Sequence, residues 1–192
     1  MALTPSQMIS LGTKAPAFAL RDVVSGKDVS LADFAAKKGL LVMFICNHCP
    51  YVKHVADELA KIGRDYADEG LGIVAISAND ITTHPDDGPD KMKQEAKSHG
   101  YVFPYLYDES QEVAKAYSAA CTPDFFLFDG TMKLVYRGQL DDSRPGNNLP
   151  VTGRDLRAAI DAVRIGSAMP GPQRPSIGCN IKWKRGNAPA YA

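Results

Sequence analysis

Neither sign of charge is in excess: 22 lysines and arginines face 22 aspartates and glutamates among 192 residues, a formal net charge of +0. That balance removes the electrostatic drive toward nucleic acid or an anionic membrane surface. Long apolar runs are missing as well. The longest, residues 40–46, is far too short for a bilayer-spanning helix. The opening stretch, MALTPSQMISLGTKAPAFAL, has no basic leader before an apolar segment. It does not read as a secretory signal, so the expectation is a cytoplasmic protein. Repeats and low-complexity segments are absent. Cysteine is scarce, and four in a chain of this length are too few for a disulfide scaffold. A close pair in a reducing compartment points instead to catalysis or metal binding.

What remains is ordinary globular composition, 45% hydrophobic and 23% charged, in a chain long enough to bury its own core. One domain is expected over residues 1–165, with a tail over 166–192. Residues 18–20 and 28–30 flank Ser25-Gly26 as a small hairpin. Ser30 with Asp33 is a capping signal for a short helix. Residues 40–45 are continuously apolar, as in a strand buried on both faces. From Pro50 the period changes: Val52, Val55, Ala56, Leu59, Ile62 and Tyr66 recur at helical spacing. A second buried strand follows over 71–78, then an Asp/Pro-rich loop over 79–90 and a polar helix to His99. Residues 103–107 read as strand, and 109–117 as helix with Asp108 as cap. Residues 125–128 and 133–137 flank a turn at Asp129-Gly130. A loop over 138–151 then leads to a helix over 153–165, capped by Thr152. The tail holds four of the thirteen prolines and is expected to wrap the surface as coil. Strands alternating with helices and closed by a hairpin define an α/β sheet with helices on both faces. Such folds place their chemistry where a strand's carboxyl end meets the next helix.

Ile45-Cys46-Asn47-His48-Cys49-Pro50 occupies such a junction. A thiol at a helix N-terminus faces unpaired N–H groups and the positive end of the helix dipole, both of which favour thiolate. Proline is favoured at the first helical position, so Pro50 marks the helix start and makes Cys49 its cap. Cys46 leaves the strand three residues earlier, off the dipole. Cys49 is therefore the expected attacking thiol and Cys46 the resolving one, with His48 available for charge or a hydrogen bond. A metal site is the alternative: Cys46, Cys49 and His48 or His54 offer ligands to Cu(I) or Zn, as in a metallochaperone. Pro123, after Cys121-Thr122, is either an ordinary turn proline or a cis one. His84 and His99 lie in polar segments and are expected in solvent. Residues 141–144, Asp-Asp-Ser-Arg, form a polar loop that reads as a surface turn or a substrate-facing one.

Several of these segments also carry a resemblance. Gly12-Thr13-Lys14-Ala15-Pro16-Ala17-Phe18, the strand Leu41-Val42-Met43-Phe44, Cys49-Pro50, and Thr122-Pro123 before Phe125-Phe126-Leu127-Phe128-Asp129-Gly130 resemble the thioredoxin superfamily. Within it they are similar to the redoxin branch related to peroxiredoxins, the alkyl hydroperoxide reductase and thiol-specific antioxidant type. The likeness runs from Gly12 to Ile165. It implies a thioredoxin-like fold with a central mixed sheet flanked by helices, an N-terminal β-hairpin extension and a coil C-terminal tail. It implies a cis Pro123 beside the sulfurs, Arg137 as the arginine near the thiolate, and no cofactor. Cys46 stands where peroxiredoxins have threonine, and Val52 where thioredoxins have their second cysteine, so dithiol cycling must use Cys46. Cys121 and Cys179 offer a second redox pair. The tail around Cys179-Asn180-Ile181-Lys182-Trp183-Lys184 is similar to that of a peroxiredoxin-like branch. The implied activity is thiol-disulfide exchange with a protein disulfide, or a thiol peroxidase reaction, with a thioredoxin-type reductant as partner. A homodimer is left open; no nucleic acid or membrane is expected.

Overall fold

The apolar run that follows Lys38 becomes the centre of the fold. The computed structural model describes residues 3–192. In chain order it forms β1 (Leu3–Pro5), β2 (Ala19–Asp22), β3 (Asp28–Ser30), β4 (Gly39–Phe44), α1 (Pro50–Tyr66), β5 (Leu71–Ser77) and α2 (Pro89–His99). There follow β6 (Tyr105–Tyr107), α3 (Glu112–Ala116), β7 (Cys121–Thr122), β8 (Asp124–Asp129), β9 (Leu134–Gly138), α4 (Arg154–Ile165) and β10 (Ile177–Asn180). Seven strands make a mixed sheet in the order β3-β2-β6-β5-β4-β8-β9. Within it β4, β5 and β6 run parallel, while β8 and β2 attach antiparallel.

Every residue of β4 is buried because both its faces are covered. Leu41 and Met43 pack with Val52, Val55, Leu59 and Ile62 of α1 and with Leu156 and Ile160 of α4. Leu40, Val42 and Phe44 point the other way, to Phe34, Tyr117, Phe126 and Phe128. The alternation follows from the period of two along a strand. Burying each such side chain stabilises by about 1.5–3 kcal/mol, so this strand is the anchor of both cores. Its carboxyl end is thereby fixed, and the five residues between β4 and α1 start from a rigid point. Among the described residues no helix is long and apolar enough to cross a membrane.

Some expected boundaries shift for local reasons. The strand expected from 103 starts at Tyr105, since Pro104 has no N–H and contributes only its carbonyl, to Ala75 N at 3.0 Å. Ser30 N donates to Asp33 Oδ2 at 2.7 Å, closing the expected capping box, but the helix it starts is one 3-10 turn, Leu31–Phe34. Gln111, not Asp108, is the cap residue of α3, which begins only at Glu112, although Asp108 Oδ2 accepts the Ala114 amide at 2.8 Å. Thr152 is not the cap of α4. Asp141 Oδ2 accepts the Thr152 and Gly153 amides at 2.6 and 2.7 Å, and Gly153 is the cap residue.

The largest correction concerns the tail, expected as coil. Three of its four prolines lie before residue 177, and the proline-free run Ile177–Asn180 forms β10, the middle strand of a second sheet ordered β1-β10-β7. Cys179 lies opposite Leu3 on one side and Thr122 on the other. The backbones approach so closely that a Cβ on Gly178 would lie 2.0 Å from the Thr122 carbonyl oxygen. Only glycine fits there. Gly178→Ala is expected to push β10 off β7 and lower stability by about 3 kcal/mol, read as a fall in the urea midpoint. An unchanged midpoint would mean that the tail tolerates the displacement at no cost.

Candidate active site

The site is built where β4 ends. Cys49 is the N-cap of α1, with Pro50 at the first helical position. Its carbonyl accepts the Val52 and Lys53 amides at 3.0 Å each, so the residue is locked to the first turn. Thr122–Pro123 is a cis peptide bond, and it turns both oxygens of Thr122 toward the sulfurs. Cys46 Sγ lies 3.3 Å from Thr122 Oγ1, and Cys49 Sγ lies 3.2 Å from Thr122 O. Ser176 Oγ donates to the Pro123 carbonyl at 2.7 Å, tying the tail to this turn. Both sulfurs are enclosed, Cys49 at 0% exposure and Cys46 at 1%.

The two thiols are driven apart electrostatically. Hydrogen bonding from Cys46 is the main cause that holds the Cys49 thiol down, at about 4 against an ordinary 9.0. Burial works against it, while Cys179, Thr122 and the Val52 amide act in the same direction as Cys46. The helix dipole adds to that bias. In its protonated form Cys49 has the Thr122 carbonyl to donate to, but the donors converging on the sulfur outweigh that single acceptor. Cys46 is pushed well above its ordinary value by the same hydrogen bond to Cys49, by burial and by the Asp87 carboxylate.

Asp87 organises the segment between the cysteines. Its Oδ1 accepts the amides of Asn47 and His48 at 2.8 and 3.1 Å, and its Oδ2 takes Asn79 Nδ2 at 2.8 Å and His48 Nδ1 at 2.5 Å. Asn47 also accepts from Tyr105 Oη at 3.1 Å. His48 therefore holds the loop to Asp87 instead of bonding to Cys49. Its ring stacks on His84 with centroids 4.7 Å apart, which brings His84, expected in solvent, to the edge of the site. Lys182 N donates to Asn79 Oδ1 at 2.8 Å, so the tail reaches the same cluster.

The remaining candidates disperse. Arg137 is fully buried against Asp124, also donates to the Phe125 and Gln7 carbonyls at 3.1 Å, and lies 3.7 Å over the Phe126 ring. Its guanidinium is taken up by Asp124, and its charge acts to lower the Cys121 thiol against burial and Asp124. Cys121 and Cys179 do not face each other. Cys179 is in register with Thr122, the next residue after Cys121, and successive strand residues point to opposite faces. Cys179 lies in the same buried cluster as Cys49, and burial first, then the influence of Cys49, push its thiol up to about 12. Cys121 Sγ lies 3.7 Å from the Pro123 carbonyl and is raised by burial and by Asp124.

His54 is turned to Ser143 Oγ at 2.7 Å, so the polar loop over 141–144 packs against α1 next to Pro123. His99 bonds to Asp57 and Glu95 on the surface. The potential metal ligands that converge are Cys46, His48 and Asp87, whose donor atoms lie within 4.8 Å of one another. Asp87 already accepts four N–H donors, so a metal there would have to displace bonds that hold the loop. Asp87 and Asn79 escaped the sequence reading. They lie in a stretch whose composition says only loop, and Asp86 is indistinguishable from Asp87 by any local pattern.

Comparison with known proteins places this geometry in context. An uncharacterized conserved protein of known crystal structure from Geobacillus kaustophilus is 55% identical, with a TM-score of 0.94, covering 96% of this chain and 97% of that one. The thioredoxin domain of a thiol-disulfide oxidoreductase from Bacteroides vulgatus is 25% identical, with a TM-score of 0.56, over 68% of this chain and 91% of that one. A putative peroxiredoxin from Mycobacterium tuberculosis is 31% identical over 118 residues, 61% of this chain and 69% of its own length. The fold is thioredoxin-like. The Redoxin family model matches residues 10–156, from before the N-terminal hairpin into α4, and the chain belongs to that family.

Proposed function

We propose that this protein is a thiol-disulfide oxidoreductase in which Cys49 attacks and Cys46 resolves. The observation that carries the reading is the placement of Cys49 at the N-cap of α1 with Cys46 three residues behind it and both sulfurs on Thr122, an arrangement that holds the Cys49 thiol down and the Cys46 thiol up. The Cys49 thiolate attacks one sulfur of a protein disulfide, R–S–S–R′. A Cys49–S–S–R bond forms, and R′S⁻ leaves to be protonated. Cys46 then gives up its proton and attacks the Cys49 sulfur, so that a Cys46–Cys49 bond forms and RS⁻ leaves. The dithiol has passed two electrons to the substrate, and a thioredoxin-type reductant restores it. The cis Thr122–Pro123 turn covers one side of both sulfurs, and His48 positions the loop through Asp87. The reading places the protein in the cytoplasm, where such a reductant is at hand.

The names carried by relatives, a thiol-disulfide oxidoreductase and a putative peroxiredoxin, both fit an attacking thiolate. Stopped-flow oxidation separates them. Oxidation by a protein disulfide is expected to outpace oxidation by hydrogen peroxide, and the reverse order would make peroxide the substrate.

The ionisation itself is testable. Ultraviolet thiolate absorbance is expected to titrate with a midpoint of about 4 and to vanish in Cys49→Ser. Cys46→Ala removes the strongest donor and is expected to raise the midpoint. Lowering the folded thiol from 9.0 to about 4 also links stability to pH. Between those values the unfolded chain holds one proton more than the folded one, so this contribution is full above pH 9.0 and is lost as pH falls toward 4. A midpoint near 9.0 would remove the basis of the assignment.

A further inference from the structure

We propose that Cys179 is a third redox thiol, carried to the site by the tail strand β10, and that it forms a disulfide with Cys49 in competition with Cys46. The inference rests on the reading of Cys49 as nucleophile and goes beyond it in naming a second route out of the mixed disulfide. Three observations converge. Strand β10 lies against β7 with Cys179 opposite Thr122, the residue whose two oxygens face Cys46 and Cys49. Directly opposed residues of paired strands put their side chains on one face, so Cys179 shares the face of Thr122, and it lies in the same buried cluster as Cys46 and Cys49. Cys49 has 0% exposure, so a substrate reaches it only when a covering element moves. Strand β10 is such an element: it is four residues long and joins the molecule between two short strands.

The sequence of events follows from that placement. Lifting β10 opens Cys49 to a disulfide R–S–S–R′ and takes Cys179 away with it. Cys49 attacks, R′S⁻ leaves, and the strand returns with Cys179 beside a sulfur that now bears R. Cys179 loses its proton and attacks the Cys49 sulfur; the Cys49–Cys179 bond forms, the Cys49–SR bond breaks, and RS⁻ takes up the proton. The two cysteines belong to one buried cluster, and bond formation brings their sulfurs to about 2.05 Å.

The surroundings favour Cys179 at that moment. Once Cys49 is bonded to R it carries no charge, and its pull on both neighbours ends. Cys46 still has burial and the Asp87 carboxylate opposing ionisation. For Cys179 burial opposes ionisation and Lys182 favours it. The two exits also differ in outcome. A Cys46–Cys49 disulfide lies within the strand-to-helix junction and leaves β10 able to lift, whereas a Cys49–Cys179 disulfide pins β10 to α1.

Glutathione disulfide is a sufficient probe. Cys46→Ser and the double variant Cys46→Ser/Cys179→Ser are each treated with it, freed of excess reagent and followed by intact mass. The glutathione adduct in Cys46→Ser is expected to collapse to an internal Cys49–Cys179 disulfide on the order of a hundredfold faster than it decays in the double variant, as for a reaction made intramolecular. The oxidised wild-type protein, digested without reduction, is expected to contain the Cys49–Cys179 peptide pair, a readout that depends on no substitution. Equal adduct lifetimes in the two variants, or a wild-type digest without that pair, overturn the proposal and leave the nucleophile assignment standing. An adduct that never forms on Cys49 in either variant overturns both.

Discussion

Cys49→Ser is expected to lower disulfide-exchange activity by roughly a thousandfold or more, the scale of loss when a nucleophile acting as part of a unit is removed. A serine hydroxyl does not ionise at neutral pH, so no covalent intermediate can form at the head of α1. The thiols left behind cannot take over. Cys46 is buried and held protonated by Asp87, and Cys179 and Cys121 are raised by burial. Insulin reduction with a thioredoxin-type reductant measures the loss. A variant with more than a few per cent of the wild-type rate would move the nucleophile to another sulfur. Cys46→Ser is the matched control, because its hydroxyl still donates toward Cys49 and the attacking thiolate is kept.

Asp124→Asn is expected to have the largest effect on stability, a loss of about 3–5 kcal/mol. Asp124 and Arg137 are both fully buried, and both guanidinium NH groups of Arg137 bond to the carboxylate. The same carboxylate accepts Ser6 Oγ at 2.7 Å and the Ala120 amide at 3.3 Å. Neutralising it leaves a cation in the core with only carbonyl partners, the situation that makes breaking a buried pair costly. Urea unfolding measures the change. Adding Arg137→Met is expected to cost much less in the Asp124→Asn background than in the wild type, since the stranded charge goes with it. Additive losses would show that the pair does not couple. Pro123 directly precedes Asp124, so the pair also anchors the end of the turn over the sulfurs.

Local physics made half of the site legible in the sequence. An apolar run followed by Cys-Pro and a helical period places a sulfur at a helix N-terminus, because strand burial, proline's fixed φ and the 3.6-residue repeat are all written in neighbouring residues. The hairpin at Asp129-Gly130 and the buried strands β4 and β5 are legible for the same reason. What the sequence hid depends on partners far along the chain. Residues 177–180 are four residues behind a proline-rich approach, with no alternation to mark a strand; β10 exists because Leu3–Pro5 and Cys121–Thr122 offer it edges on both sides. Arg137 reads as a strand residue with a charge to spend. Only the fold shows that Asp124, across the hairpin, has already taken that charge. Asp87 differs from Asp86 solely in pointing inward, toward two amides that the cysteine loop leaves without partners.

The depressed Cys49 thiol sets the redox poise of the whole site. Whatever stabilises the thiolate stabilises the reduced protein, and a disulfide has no charge to benefit from the same donors. Each tenfold of that stabilisation raises the reduction potential by about 30 mV. A disulfide made at Cys49 is accordingly an oxidising one, quick to hand its bond to a passing thiol because Cys49 is a good leaving group. The donors gathered at the head of α1 thus tilt the site toward its dithiol form, and its oxidised form toward being short-lived in the presence of a reductant.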